Sequence, residues 1–189
     1  MDPNLLHGSL VRLMTEEPEV LAEAHSRWDR DSEYQRLLIT GAANQYSLKK
    51  LNEWIQKNQE KDPPTYYVFA IRSLEGDHLI GSCNLSGITS HHSEAFVGIG
   101  IGEREFWGKG YGTDAMQVML RYAFLELNLR RVSLDVAGYN PRAIHSYEKA
   151  GFIHEGKVRG ADSREGQRWD AIYMGILRQD WLVENSKTS

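Results

Sequence analysis

Apolar positions along this chain switch between a spacing of two and a spacing near 3.6, the periods that separate strands from helices. Leu10 to Met14 reads as a short first strand. Pro18 follows as a first-turn residue, then Val20, Leu21, Ala24 and Trp28 at helical spacing. Ser47 suits the N-cap of a second helix with the apolar stripe Leu48, Leu51, Trp54 and Ile55, and Pro63-Pro64 ends that region. Tyr66 to Ile71 and His78 to Leu85 read as strands flanking a Glu75-Gly76-Asp77 turn. Ala95 to Ile101 is a third strand, interrupted by Gly98, Gly100 and Gly102. Glycines inside a strand mark a bulge or a place where a ligand approaches the backbone closely.

A glycine-rich stretch, Gly108 to Gly112, then opens a long helix whose apolar face is Met116, Met119, Leu120, Ala123, Phe124 and Leu127. Val132, Leu134 and Val136 alternate with Ser133 and Asp135, as a strand should. Asn140-Pro141 caps another helix carrying Ile144, Tyr147 and Ala150 on one side, and Gly151 ends it. Phe152 to Val158 and Trp169 to Leu177 read as a final hairpin around Asp162 to Gly166. The order β-α-α-β-β-β-α-β-α-β-β predicts an α/β chain, a mixed sheet with helices on its faces.

Length and composition narrow the classes. The 189 residues fit one domain, expected over 1–189, and 41% hydrophobic with 25% charged residues is ordinary for a globular protein. The formal net charge of −4 gives no reason to expect a nucleic-acid partner. It is compatible with a cationic substrate. The single cysteine, Cys83, excludes an internal disulfide and sits among apolar and small residues, as a buried structural thiol would. No run approaches the roughly 20 apolar residues of a membrane span, and the N-terminus has no signal-like apolar run, so the expected setting is cytoplasmic, with no membrane partner. His91-His92 has no partner string at metal-ligand spacing, and no metal is expected.

The segment Trp107-Gly108-Lys109-Gly110-Tyr111-Gly112-Thr113 lies between a strand and a helix. A helix start carries unpaired N–H groups and partial positive charge, and glycines let an anion approach them. A plain tight turn is the competing reading. The P-loop string G-x-x-x-x-G-K-S/T does not occur, and the even spacing Gly108-x-Gly110-x-Gly112 fits the dinucleotide pattern G-x-G-x-x-G poorly.

Gly110-Tyr111-Gly112, three residues after Trp107, resembles the acetyl-CoA signature Q/R-x-x-G-x-G/A of the GNAT superfamily. Asn140 to Phe152 resembles that superfamily's N-x-x-A-x-x-x-Y-x-x-x-G-F block. The two blocks are separated by about a helix and a strand, as in the family. Gly166 to Met174 resembles a run in the branch containing ribosomal-protein N-terminal and spermidine acetyltransferases. One residue departs from the pattern: Trp107 stands where the family has Gln or Arg.

The resemblance implies a mixed, mostly antiparallel sheet of six to seven strands, splayed at its centre and flanked by about four helices. It implies acetyl-CoA as cosubstrate and a primary amine as acceptor: a protein N-terminus, a polyamine or a small molecule. The amides of Trp107, Gly108, Lys109, Gly110, Tyr111, Gly112 and Thr113 would hold the diphosphate, and Lys109 would add charge or simply face solvent. The pantetheine arm would pair with main-chain groups of Ile99 and Ile101. Asn140 would contact that arm, cap its helix, or both. Tyr147 matches the tyrosine that protonates the leaving thiolate; a core tyrosine is the bland reading. For a general base, the glycine loop aligns Phe96 with the expected acid, so Glu94, two residues earlier on the same strand face, is the candidate beside a plain surface role. Asp170 is a further acidic position that could meet substrate. Trp28 and Trp54, on the early helices, could shape the substrate cleft. A homodimer is compatible with the resemblance, and a non-catalytic acyl-CoA-binding or sensing domain is the alternative to an enzyme.

Overall fold

The computed structural model describes residues 4–60, 66–89 and 91–186, so the expected Pro63-Pro64 break lies outside the described residues. Seven strands form one sheet in the order β1-β2-β3-β4-β5-β7-β6. They are β1 (Val11–Met14), β2 (Tyr67–Ser73), β3 (Leu79–Thr89), β4 (Glu94–Ile101), β5 (Arg131–Ala137), β6 (Ile153–Arg164) and β7 (Gln167–Leu177). Every neighbouring pair is antiparallel except β4 and β5. That parallel pair holds only at Glu94↔Arg131, Ala95↔Val132 and Phe96↔Ser133. Beyond Phe96 the two strands diverge, and the sheet opens at its centre.

Among the described residues, six α-helices cover the sheet: α1 (Pro18–Trp28), α2 (Ser32–Leu38), α3 (Leu48–Gln59), α4 (Tyr111–Arg121), α5 (Pro141–Lys149) and α6 (Arg178–Ser186). The expected count was about four, and α2 and α6 are the additions. The seven-residue α2 is held by an Asp31 cap that accepts from the amides of Glu33 and Tyr34. The nine-residue α6 follows β7 directly and is polar apart from Trp181 and a few exposed apolar residues. Ser47 caps α3 through its side chain, and Asn140 caps α5. The last hairpin turns more tightly than its sequence implied. β6 and β7 pair as far as Arg164↔Gln167, with Glu165 and Gly166 both at positive φ, a two-residue turn that matches strand twist.

The main core lies between the sheet and α4. Phe69, Ile71, Leu85, Val132 and Leu134 meet Met116, Met119, Leu120 and Phe124 there, all almost fully buried. After Arg121 the helix widens into a π turn over Tyr122–Glu126, which rotates Leu127 to a half-buried place. Cys83 is buried in the same core, and burial pushes its thiol up, away from reactivity. On the opposite face α1 and α3 pack together through Leu21, Ala22 and Ile55, while Trp28 and Tyr34 form a second small cluster with Ala24.

Asp114, in the first turn of α4, fixes that helix to the sheet edge. Its carboxylate accepts four hydrogen bonds: from the Ser9 amide (3.0 Å) and hydroxyl (2.9 Å), and from the amides of Leu10 (2.8 Å) and Val11 (2.9 Å). The glycine loop is thereby anchored to β1 through a buried group.

Candidate active site

The opening between β4 and β5 is the mouth of a cavity of about 550 Å³. Two features of the backbone make it. The amides of Gly102 and Glu103 donate to Ile80 on β3. Main-chain groups alternate sides along a strand, so Ile99 and Ile101 turn theirs toward the slot. At the outer end, Gly108 and Gly110 adopt positive φ (+70° and +91°), and Gly110 is the residue before α4. This left-handed turn aims the first amides of α4 at the cavity without side chains in the way.

Most sequence candidates meet here. Ile99, Ile101, Trp107, Gly108, Gly110, Gly112, Thr113, Asn140 and Tyr147 all line the cavity. Lys109 is exposed and Tyr111 turns its ring against Phe106 (centroids 4.9 Å apart); neither side chain lines it. Glu94 is also elsewhere: it starts β4 at the closed end of the slot, 3.8 Å from Arg130. Asp170 is held by Lys157 (2.8 Å) and the Gly160 amide (2.9 Å), contacts that lower its pKa, with the lysine bond the larger cause.

Trp107 has a defined job. Its indole N–H donates to the Ile101 carbonyl at 2.6 Å, and the Arg142 guanidinium lies 3.9 Å from the centre of its ring. The residue that departs from the family pattern thus ties the loop to the end of β4. Asn140 is engaged on both sides: its Oδ1 accepts from the Ala143 amide (3.1 Å) and its Nδ2 donates to the Leu37 carbonyl (3.2 Å). Thr113 and Ser146 join α4 to α5 at 2.8 Å.

Tyr147 projects from α5 and packs against Phe152. Burial first, and the negative charge of Asp135 second, push its phenol to about 12. It is a protonated hydrogen-bond donor at any physiological pH.

Gly98 and Gly100 of β4 line the cavity, and with Gly102 just beyond the strand they also make room for side chains. A side-chain carbon on Gly98 would lie 2.6 Å from Asn84 Oδ1, one on Gly100 2.8 Å from the Tyr34 hydroxyl, and one on Gly102 inside the Trp28 indole. The β3–β4 register is unbroken from Phe96 to Ile101, so Gly98 and Gly100 make no bulge, whereas at Gly102 two successive amides share the Ile80 carbonyl. The three glycines let the side chains of Asn84, Tyr34 and Trp28 press onto the strand. Trp28 is buried there and donates to Glu103 (2.9 Å); Trp54 is half exposed on α3.

Several lining residues carried no sequence signal. On α5, Arg142, His145 and Lys149 fall at i, i+3 and i+7, one face beside the glycine loop that carries the charges of Arg142 and Lys149. Asp135 of β5 lines the slot. A wall made by Tyr34 and residues 37–41 closes the far side. That wall is stapled across the cleft. Tyr139 donates to the Arg36 carbonyl (2.9 Å), Arg164 donates to Ile39 (2.7 Å) and Gly41 (3.1 Å), and Arg36 pairs with Glu165. No local pattern in the sequence encodes these contacts, which are more than 100 residues apart.

A sheet parted after a short parallel pair, with helix-start amides facing the gap, defines a fold that takes an extended ligand with an anionic end. The comparisons make the class specific: residues 10–153 match the family model for the acetyltransferase (GNAT) domain, and the chain belongs to that family. It is 30% identical over 113 residues to the uncharacterized N-acetyltransferase p20 of Bacillus licheniformis, covering 60% of this chain and 63% of that one. It is 34% identical over 106 residues to the putative ribosomal N-acetyltransferase YdaF of Bacillus subtilis, covering 56% and 57%. The chain therefore spans about three fifths of the length of these curated relatives. The crystal structure of spermidine N-acetyltransferase from Vibrio cholerae in complex with CoA and spermine superimposes with a TM-score of 0.78 at 26% identity, over 91% of this chain and 96% of that one. No helix among the described residues is long and apolar enough to cross a membrane.

Proposed function

We propose that this chain transfers an acetyl group from acetyl-CoA to a primary amine, which is a protein N-terminus, a polyamine or a small-molecule amine. The observation that carries this is the slot itself: β4 runs on to Ile101 after its pairing with β5 stops at Phe96, and the free edge leads to the glycine loop. The pantetheine arm would add to that edge at Ile99 as an extra strand, with the diphosphate on the amides from Gly108 to Thr113. Trp107 already occupies the Ile101 carbonyl, so at Ile101 the N–H is the group left for the arm. Arg142 and Lys149 supply charge for the phosphates, and His145 beside them is a further polar side chain within the same face.

In the reaction, the acceptor nitrogen loses a proton, attacks the thioester carbon and forms a tetrahedral oxyanion. The attached nitrogen, now carrying a positive charge, gives a second proton to water as the C–S bond breaks; the sulfur leaves as a thiolate and takes a proton from solvent, so that a neutral amide and a free thiol are the products. An N–H on the open edge of β4 polarises the carbonyl. Tyr147 donates a hydrogen bond to the sulfur as charge builds on it. Glu94 lies outside the cavity, and we assign the proton-accepting role to Asp135, acting through water. Asp135 lines the cavity, and its charge is felt at Tyr147.

The test is acetyl-CoA turnover against a panel of amines, read as free thiol. Amine-dependent thiol release is the expected result. Binding of acetyl-CoA without release by any amine would favour a sensing domain.

A further inference from the structure

The wall opposite the cofactor slot contains one unexplained polar atom. Tyr34 is 3% exposed, lines the cavity, and its hydroxyl is buried with no hydrogen-bond partner. A buried donor left without a partner destabilises the fold. The site is built to hold it: Gly100 is side-chain-free where the hydroxyl rests, and the Leu38 side chain lies over the same glycine. Burial first, and the nearby charge of Asp29 second, drive the phenol far above its ordinary value, so it keeps its proton. Its oxygen lone pairs stay available to an N–H, and the negative charge of Asp29 behind it favours a cation in front.

The surroundings of that hydroxyl are apolar. Leu37, Leu38 and Ile39 line the cavity beside it, and Leu38, the last residue of α2, is 41% exposed. Apart from Asp29 and Asp135, the assigned proton acceptor, the carboxylates nearby are matched. Asp31 and Glu33 pair with Arg104 (2.5 and 2.7 Å), and Glu165 pairs with Arg36.

We propose that Tyr34, with Leu37, Leu38 and Ile39, forms the acceptor subsite: the hydroxyl binds the acceptor nitrogen, and the subsite takes a primary amine with one positive charge and an apolar substituent. This rests on the acyl-transfer reading above. Tyr34 sits on the β4 face that carries Gly98 and Gly100, across the sheet from the α4 core. An amine held there approaches the thioester from the side opposite the cofactor helices. A polycation would find its extra charges facing carboxylates that arginines already hold.

The experiment measures thiol release from acetyl-CoA with hexylamine and with spermidine, for the wild type and Tyr34→Phe, together with thermal melts of both free proteins. The wild type should favour hexylamine over spermidine by about tenfold or more in kcat/KM, the scale of one lost charge contact. Tyr34→Phe should raise the hexylamine KM by about tenfold and leave the acetyl-CoA KM unchanged. Its melting temperature should hold or rise, because the variant removes an unpartnered buried group; a merely structural hydroxyl would lower it. Preference for spermidine, an unchanged hexylamine KM, or a parallel rise in both KM values would overturn the subsite. If neither amine reacts but another of the wider panel does, the subsite is wrong and the acyl-transfer reading stands. Silence with the whole panel removes both.

Discussion

Replacing Tyr147 with phenylalanine takes one oxygen from the cavity wall and keeps the ring, including its edge contact with Phe152. The magnitude follows from the acidity of the phenol. Burial and Asp135 push it to about 12, whereas an alkyl thiol ionises near about 8.5. Full proton transfer from this phenol to a free thiolate is uphill. In the proposed mechanism the side chain supplies a hydrogen bond to the sulfur as it becomes charged. A hydrogen bond to a charged group is worth about 1.5–3 kcal/mol, and about 1.4 kcal/mol is a factor of ten, so kcat should fall roughly 10- to 100-fold. Acetyl-CoA affinity, set by the loop amides and the strand edge, should change little. The assay is steady-state thiol release at saturating amine, with acetyl-CoA binding measured by calorimetry. An unchanged kcat would refute the role. So would a wild-type pH–rate profile with a limb between pH 8 and 10 that Tyr147→Phe abolishes, since that would show a phenol ionising well below 12.

Trp107→Phe removes the indole donor to the Ile101 carbonyl and keeps an aromatic surface under Arg142; urea denaturation should show a loss of about 1 kcal/mol, with acetyl-CoA affinity changed less than about threefold. Asp114→Ala strands the buried amides of Leu10 and Val11 and should cost about 3 kcal/mol or more in the same assay; a loss under about 1 kcal/mol would show that water replaces the carboxylate. His25, 3.1 Å from the Ser82 hydroxyl, has its pKa lowered by burial, against an opposing pull from Asp29. The unfolded chain then takes up the proton first as pH falls, so stability is full above the ordinary histidine value of about 6.5 and declines as pH drops from there toward the lowered one. Thermal melts from pH 8 to 5 should show this decline, and His25→Gln should flatten it.

The strands, the glycine loop and α3 to α5 were legible because each has a local signal: alternation in Val132 to Val136, caps at Ser47 and Asn140, left-handed glycines before Tyr111. α2 escaped because seven residues give a stripe too short to read, though Asp31 is a cap of the usual kind. α6 escaped because its one buried residue, Trp181, leaves no periodic face. The glycines at 98, 100 and 102 were seen, but the side chains that press onto them were not. The side chains that need the space come from α1, α2 and β3, and only the fold brings Trp28, Tyr34 and Asn84 onto one strand. Glu94 was placed by counting back from the loop along one strand face. Counting gives the face but not the end of the strand, and the slot opens at the other end. The cavity wall opposite the slot was invisible for a related reason: residues 34–41 meet Tyr139, Asn140 and Arg164 only through contacts long in sequence.

A crystal structure with bound coenzyme A is the most direct check. The diphosphate should rest on the amides between Gly108 and Thr113, with the pantetheine alongside Ile99 and the sulfur near Tyr147. A nucleotide lodged elsewhere, with the gap between β4 and β5 empty or filled by side chains, would contradict the account.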